Sequence, residues 1–174
     1  MSRSCYSDDY GYDFPGQLEL YRSNVRRSIR SKAGQARLLE LKRALESMPN
    51  RALGKDEFLP SGRNACALGV WAAWKTQGTD NYGKMASFQG DDHETADLLR
   101  PYQWPRLLVL DLVFENDEQQ QFNWVNVDGP HVSPYPYYER TWRPVAYRVE
   151  ITDEERYQRV LDWVNSNLAT VEAR

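Results

Sequence analysis

The chain lacks any run of apolar residues close to the ~20 that a membrane-spanning helix needs. Residues 1–12 are polar and acidic and contain no apolar core of a secretory signal. Cysteine is scarce, with only Cys5 and Cys66, and without a secretion signal both are expected to stay reduced. The sequence therefore predicts a cytoplasmic protein with no membrane partner.

The signatures of common catalytic sites are missing as well. We find no glycine-rich phosphate loop, no serine elbow and no zinc-ligand quartet. Cys66 with His93 or His131 would supply a thiol and a base, but Cys66 lies among small apolar residues, where an uncharged packed thiol is usual. The sequence indicates a binding protein rather than an enzyme, with no cofactor, no catalytic residue and no metal.

Acidic side chains cluster in two places. Asp91-Asp92-His93-Glu94 forms one run, and five acids without a base lie between Asp111 and Asp128. Glu115, Asp117 and Glu118 belong to the second run, but neither run has the ligand spacing and central glycine of a calcium loop. Acid-rich helix ends therefore explain both runs better than a divalent metal site does. The second run predicts an acidic surface, which could imitate phosphate charge toward a partner.

Positive charge is concentrated although the chain carries a formal net charge of -3. Between Arg22 and Arg43 there are eight basic residues and one acid, Glu40. Arg22, Arg26 and Arg30 recur every fourth residue and therefore share a face of the predicted helix. This segment either binds nucleic acid or forms a solvated face that pairs with acids of the same protein. The candidate nucleic-acid-binding residues are Arg22, Arg26, Arg27, Arg30, Lys32 and Arg37.

Apolar periodicity predicts a mainly α fold, a compact helical bundle with a short β-hairpin or irregular aromatic-rich insertion. Helices are expected over 17–31, with a bend near Ala33-Gly34, then over 35–48, 65–75 with Asn64 as its cap, and 94–99. The apolar run over 107–115 predicts a helix or a buried strand, and the polar segment 76–92 predicts a loop. Thr152-Asp-Glu-Glu155 forms a capping box before a helix that ends near Leu168.

The predicted organisation is a flexible arm (1–15), a single helical domain (16–168) with an insertion (119–150), and a tail (169–174). Within the insertion, 121–127 and 145–151 alternate as two strands would. The aromatic side chains of the insertion exceed what a hairpin core needs, so they either form an exposed patch for a protein partner or fold back onto the helices. The aromatic set of candidate partner-binding residues is Trp124, Tyr135, Tyr137, Tyr138 and Trp142.

Several motifs in order resemble a family of uncharacterised small helical proteins from tailed phages and prophages. They are MSRS (1–4), YSDD (6–9), SIRSKAGQARLLEL (28–41), CALG (66–69), ENDE (115–118) and TDEERYQRV (152–160). The resemblance covers most of 1–75 and 95–168, but here about thirty residues separate ENDE from the capping box, whereas in the family the two lie close together. It implies a phage origin and a helical fold, and it carries no activity.

These observations predict a phage-encoded accessory protein in the host cytoplasm. It binds a host protein or complex, most plausibly a defence effector in the manner of an anti-CRISPR protein, and inhibits it sterically through the aromatic set. The alternative is a phage protein that associates with nucleic acid through the basic segment. The oligomeric state is not predicted.

Overall fold

The computed structural model describes residues 17–55, 58–59, 64–118, 121–125, 145–149 and 151–168, the two strands by their backbone alone. The fold of these residues is mainly helical, as the sequence predicts. None of the described helices is both long enough and apolar enough to cross a bilayer. The α-helices are α1 (Gln17–Arg30), α2 (Lys32–Glu46), α3 (Ala67–Thr76), α4 (Asn81–Ala86), α5 (Asp92–Leu99), α6 (Arg106–Val113) and α7 (Asp153–Asn167).

By its contacts the chain divides into two compact units. The helical unit comprises residues 1–119 and 152–174, and the second unit comprises Gln120–Ile151. In the second unit β1 (Gln121–Val125) pairs antiparallel with β2 (Val145–Val149), so that Trp124 lies opposite Ala146. The 19 residues between the strands far exceed the roughly two to five of a tight hairpin loop.

The core of the helical unit forms where the apolar faces of five helices meet. α2 packs against α3 and α7, and α1 packs against α6. Helical spacing predicts an apolar stripe on α1 that includes Tyr21, Val25 and Ile29, and these three residues are buried. α7 likewise buries Val160 and Val164. Each buried aliphatic side chain of this kind stabilises a fold by about 1.5–3 kcal/mol. Burial of these stripes therefore fixes which faces of α1 and α7 remain in solvent.

Trp71 of α3 lies in this core with no exposed surface. Its ring meets Tyr102 and Trp104 edge to face, with centroid distances of 5.6 and 5.2 Å. Tyr102 ends a 3₁₀ turn (Arg100–Tyr102) that follows α5. The indole nitrogen of Trp71 donates to Glu40 Oε2 of α2 at 3.1 Å, which satisfies the one polar atom of the buried ring. Trp71 thus joins α3 to α2 and to the 3₁₀ turn.

The boundary between α1 and α2 lies at Ser31, earlier than the bend predicted near Ala33-Gly34. Ser31 Oγ accepts from the Gly34 amide at 2.9 Å and so caps α2. Gly34 lies inside α2, where a Cβ would come within 2.2 Å of the Ser28 carbonyl oxygen. The glycine is therefore required by close approach of the last turn of α1, and not by a bend.

The prediction that Asn64 caps α3 was wrong, because Cys66 occupies that position. The Sγ atom of Cys66 accepts from the Gly69 amide at 3.4 Å. Asn64 bonds elsewhere: it accepts from Asn50 Nδ2 at 2.7 Å and donates to Asp153 Oδ2 at 2.8 Å. Tertiary hydrogen bonds thus take the side chain that local sequence rules assign to the cap.

The loop predicted for residues 76–92 was also wrong in part, because α4 lies within it. α4 has six residues and buries one side chain, Met85. A single buried residue leaves no apolar period for the sequence to show. Residues 107–115 resolve to a helix rather than a strand: α6 continues into a π-helical turn over Phe114–Glu118, named the π turn.

Candidate nucleic-acid interface

Three arginines of α1 form one exposed surface, the α1 basic face (Arg26, Arg27 and Arg30). Because an α-helix has about 3.6 residues per turn, positions three and four apart lie on one side of it. The opposite side of α1, with Tyr21, Val25 and Ile29, is buried. The core therefore holds the helix by one side and presents the three guanidinium groups on the other.

A cleft of about 570 Å³ runs along this face, at the place where α1 meets α2. Ser23 and Ser31 line it together with Arg26, Arg27 and Arg30. Arg26 Nε donates to the Arg22 carbonyl at 3.3 Å, which holds the side chain along the helix. Ser23 was not among the predicted site residues, although its spacing of three and four residues from Arg26 and Arg27 already places it on this face.

Two basic residues of α2 are held in ion pairs, whereas those of the α1 basic face are not. Arg37 Nη1 lies 3.1 Å from Glu40 Oε2 and donates to the Tyr102 carbonyl at 3.1 Å, and its side chain is only 15% exposed. Lys42 Nζ lies 3.6 Å from Glu46 Oε1. Within the described part of the chain, no ion pair involves a residue of the α1 basic face. The remaining positive charge of the segment therefore lies on the α1 basic face and on Lys32 and Arg43, which are exposed on α2.

The other predicted members of this site lie in different surroundings. Arg22 is half-buried, one turn before Arg26 on α1. Lys32 is exposed and begins α2, directly after the bend at Ser31. The structure thus places Arg22 and Lys32 along the chain on either side of the α1 basic face, whereas Arg37 is held by Glu40 and the 3₁₀ turn.

The prediction of an acidic surface between Asp111 and Asp128 was wrong for Asp111 and Glu115, which are buried. Asp111 is completely buried and Glu115 is 2% exposed. Burial raises the pKa of Glu115 to about 7, and the carboxyl group of Asp111 acts in the same direction. The spacing of residues along a helix does not by itself distinguish acids on the helix surface from acids that neighbouring helices bury. The residues from Glu118 onward in this run lie outside those whose side chains are described.

Hydrogen bonds tie the π turn to three other segments. Asn116 donates to the Gly54 carbonyl at 3.0 Å and accepts from the Ala67 amide at 3.1 Å. Arg159 Nη2 of α7 donates to the carbonyls of Glu115 and Asn116 at 2.6 and 3.1 Å. Burial lowers the pKa of Arg159. These bonds give the ENDE and TDEERYQRV motifs a structural role, because they join the π turn to α7.

The acidic run at Asp91 forms the cap of α5. Asp91 Oδ1 accepts from the Glu94 amide at 2.9 Å, and Glu94 Oε2 accepts from the Asp91 amide at 3.0 Å. The bond from the Glu94 amide lowers the pKa of Asp91. Among the side chains that the structure describes, no three potential metal ligands come together.

Cys66 and His93, which were considered as a thiol and a base, make other contacts in the structure. Cys66 is buried and caps α3. His93 is exposed, and its Nδ1 accepts from Arg106 Nη2 at 2.8 Å, since an arginine can only donate. His131 lies outside the described residues. Of the aromatic set, Trp124 is described by its backbone in β1, and Tyr135, Tyr137, Tyr138 and Trp142 lie outside the described residues.

No protein-family model, no curated protein and no solved structure matches this chain.

Proposed function

We propose that this chain is a binding protein that contacts the phosphate backbone of nucleic acid through the α1 basic face. The observation that carries the proposal is the exposure of Arg26, Arg27 and Arg30 on one side of α1, where no described acid pairs with them. Guanidinium groups suit phosphates because they are permanently charged and can donate two parallel hydrogen bonds. A protein of net charge -3 that keeps such a surface concentrates its attraction for anions there.

The arrangement fits a polyanion better than a single small anion. Arg26 and Arg30 are four residues apart on the helix, which is about 6 Å along its axis. The charges therefore form a line along an open cleft and not an enclosed pocket. Contacts of this kind position a protein on a nucleic acid and do not by themselves read its bases. The proposed binding is thus driven by charge and independent of base sequence.

Removing the three charges should abolish most of this binding. For the triple variant Arg26→Ala, Arg27→Ala and Arg30→Ala, we expect affinity for labelled duplex DNA to fall on the order of 100-fold at low salt. The slope of log Kobs against log salt should also fall in magnitude by about 2 to 3, since each phosphate contact on duplex DNA contributes about 0.9. Fluorescence anisotropy between about 50 and 200 mM salt measures both quantities.

A second triple variant separates the site from general charge. Arg51, Lys84 and Arg100 are exposed residues on other parts of the helical unit, and replacing all three by alanine removes the same charge. We expect this control to retain nearly all of the affinity and slope. Equal losses in the two triple variants, or binding that does not depend on salt, would count against the proposal.

A host protein is the second candidate partner, bound through the aromatic set in a steric, inhibitory manner. Two observations favour it: the contacts of Gln120–Ile151 set that segment apart as its own unit, and the sequence places the aromatic set within it. Aromatic side chains give a large contact area for little rotamer entropy. The similarity to phage motifs supports a host defence complex, such as a CRISPR effector, as the target.

The second candidate is tested by affinity purification from host lysate with Trp142→Ala. We expect the wild-type chain to recover one stoichiometric host protein that the Trp142→Ala variant loses, because a central aromatic anchor contributes about 2–4 kcal/mol to binding. The α1 triple variant should still recover it. Recovery that is insensitive to Trp142→Ala but lost in the α1 triple variant would assign the interaction to the α1 basic face instead.

A further inference from the structure

We infer that the π turn is a proton-operated latch, closed against α7 when Glu115 carries a proton and loosened when Glu115 ionises. The π turn is the last described segment before the second unit, and α7 is the first helix after it. π-helical turns are rare, and their widened hydrogen bonding makes them frequent at functional positions. The latch goes beyond the proposed binding function and does not depend on it.

The surroundings of Glu115 supply the geometry. Its side chain is 2% exposed, and its Oε1 atom has no hydrogen-bond partner in the described part of the chain. Asp111, fully buried, lies one turn earlier on α6. Two carboxyl groups this close in a dry interior resist carrying two negative charges, so the second ionisation is opposed both by lost hydration and by repulsion.

The nearby charged groups offset this conflict only in part, because the attraction of Arg159 acts against a larger effect of burial. Asp111 of α6 raises the pKa of Glu115 and Arg159 of α7 lowers it, while Arg156 and Asp117 act on Arg159. Arg156 Nη1 donates to Asp153 Oδ1 at 2.7 Å and to the Leu53 carbonyl at 2.8 Å, so its bonds are directed elsewhere. Arg159 directs Nη2 at the backbone carbonyls of the π turn.

The bonds from Arg159 determine what moves. They hold the carbonyls of Glu115 and Asn116, and Asn116 in turn is bonded to the Gly54 carbonyl and the Ala67 amide. Water reaches an ionised Glu115 only if this turn opens, and opening breaks the bonds to α7. Ionisation therefore favours the opened turn, whereas protonation favours the closed one.

The sign of the pH effect follows from linkage. The pKa of Glu115 is raised from an ordinary value of 4.5 to about 7 in the closed turn. A proton is therefore retained by the closed form and released by the open form between these two values. Protection of the turn is complete at acid pH, decreases as pH rises through the pKa of the closed form, and then becomes constant.

Amide hydrogen exchange at residues 114–118 tests the latch, after division by the intrinsic exchange rate at each pH. Between pH 5 and pH 8 we expect protection of these amides to fall on the order of 50-fold. Glu115→Gln should abolish this decrease, because the amide cannot ionise. The control Glu154→Gln, on the exposed first turn of α7, should leave it intact.

The exchange profile of Glu115→Gln, or that of the wild type where this variant does not fold, decides the inference. A Glu115→Gln protein whose turn loses protection with pH as the wild type does would overturn it. If Glu115→Gln fails to fold, the wild type alone is decisive: protection must fall at 114–118 while the amides of Leu38 and Leu41, fully buried in α2, stay unchanged. A uniform decrease at both places would overturn the latch, since it would report global instability.

Discussion

Replacing Trp71 by alanine is expected to lower the free energy of unfolding by about 4 kcal/mol. The ring is fully buried and makes two edge-to-face aromatic contacts, so its removal leaves a cavity as well as lost transfer energy. It also removes the indole donor from Glu40, which remains bonded to Lys75 Nζ at 3.1 Å. Urea unfolding followed by circular dichroism measures the change, and the melting temperature should fall by roughly 10 °C.

Trp74 provides a matched control on the same helix. It lies three residues after Trp71, but 39% of its surface is exposed. Trp74→Ala should therefore cost no more than about 1 kcal/mol. The two substitutions delete the same atoms from α3, so a similar loss from both would contradict the position of Trp71 in the core.

Substituting Gly69 is expected to be the second large perturbation. A Cβ at Gly69 would lie 1.4 Å from the Phe58 carbonyl oxygen, so the backbone around Phe58 must move. Displacing a packed backbone segment costs about 3 kcal/mol, even though alanine is by itself the better helix former. We therefore expect Gly69→Ala to destabilise the protein, measured by the same urea titration.

Gly83 tests whether this effect comes from the contact. It also lies in a helix, α4, but nothing approaches within 4 Å of the Cβ that alanine would add. Gly83→Ala should be neutral or should stabilise the protein by up to about 1 kcal/mol, through helix propensity and the lower entropy of the unfolded chain. A destabilising Gly83→Ala would show that the loss at Gly69 is not specific to its contact with Phe58.

How far the sequence predicts the fold depends on whether a signal is local. The capping box at Thr152 and the apolar stripe of α1 are local, and both appear in the structure as predicted. The predictions of Asn64 as the cap of α3 and of a loop where α4 lies were wrong. The cap depends on which side chains are already held in tertiary hydrogen bonds, and α4 depends on a single buried residue. Local rules describe a segment in isolation, and they lose accuracy where neighbouring helices decide.

The candidate site shows the same division. Helical spacing predicts that Arg26 and Arg30 share a face, and the structure places them so. Spacing allows the ion pair of Arg37 with Glu40, three residues later, but it does not show the bond from Arg37 to the Tyr102 carbonyl, which depends on where the 3₁₀ turn packs. Nor does it show that Asp111 is buried, since acids on a helix usually face solvent.

A neutral substitution at Gly34 would move the arginines of α1 without altering the charge of the chain. The last turn of α1 rests against this glycine, whose missing side chain leaves the space for the Ser28 and Ile29 carbonyls. Any larger residue at this position would force α1 to tilt and carry Arg26, Arg27 and Arg30 with it. A neutral substitution at this position would therefore shift these cations in space while the net charge of the protein stays the same.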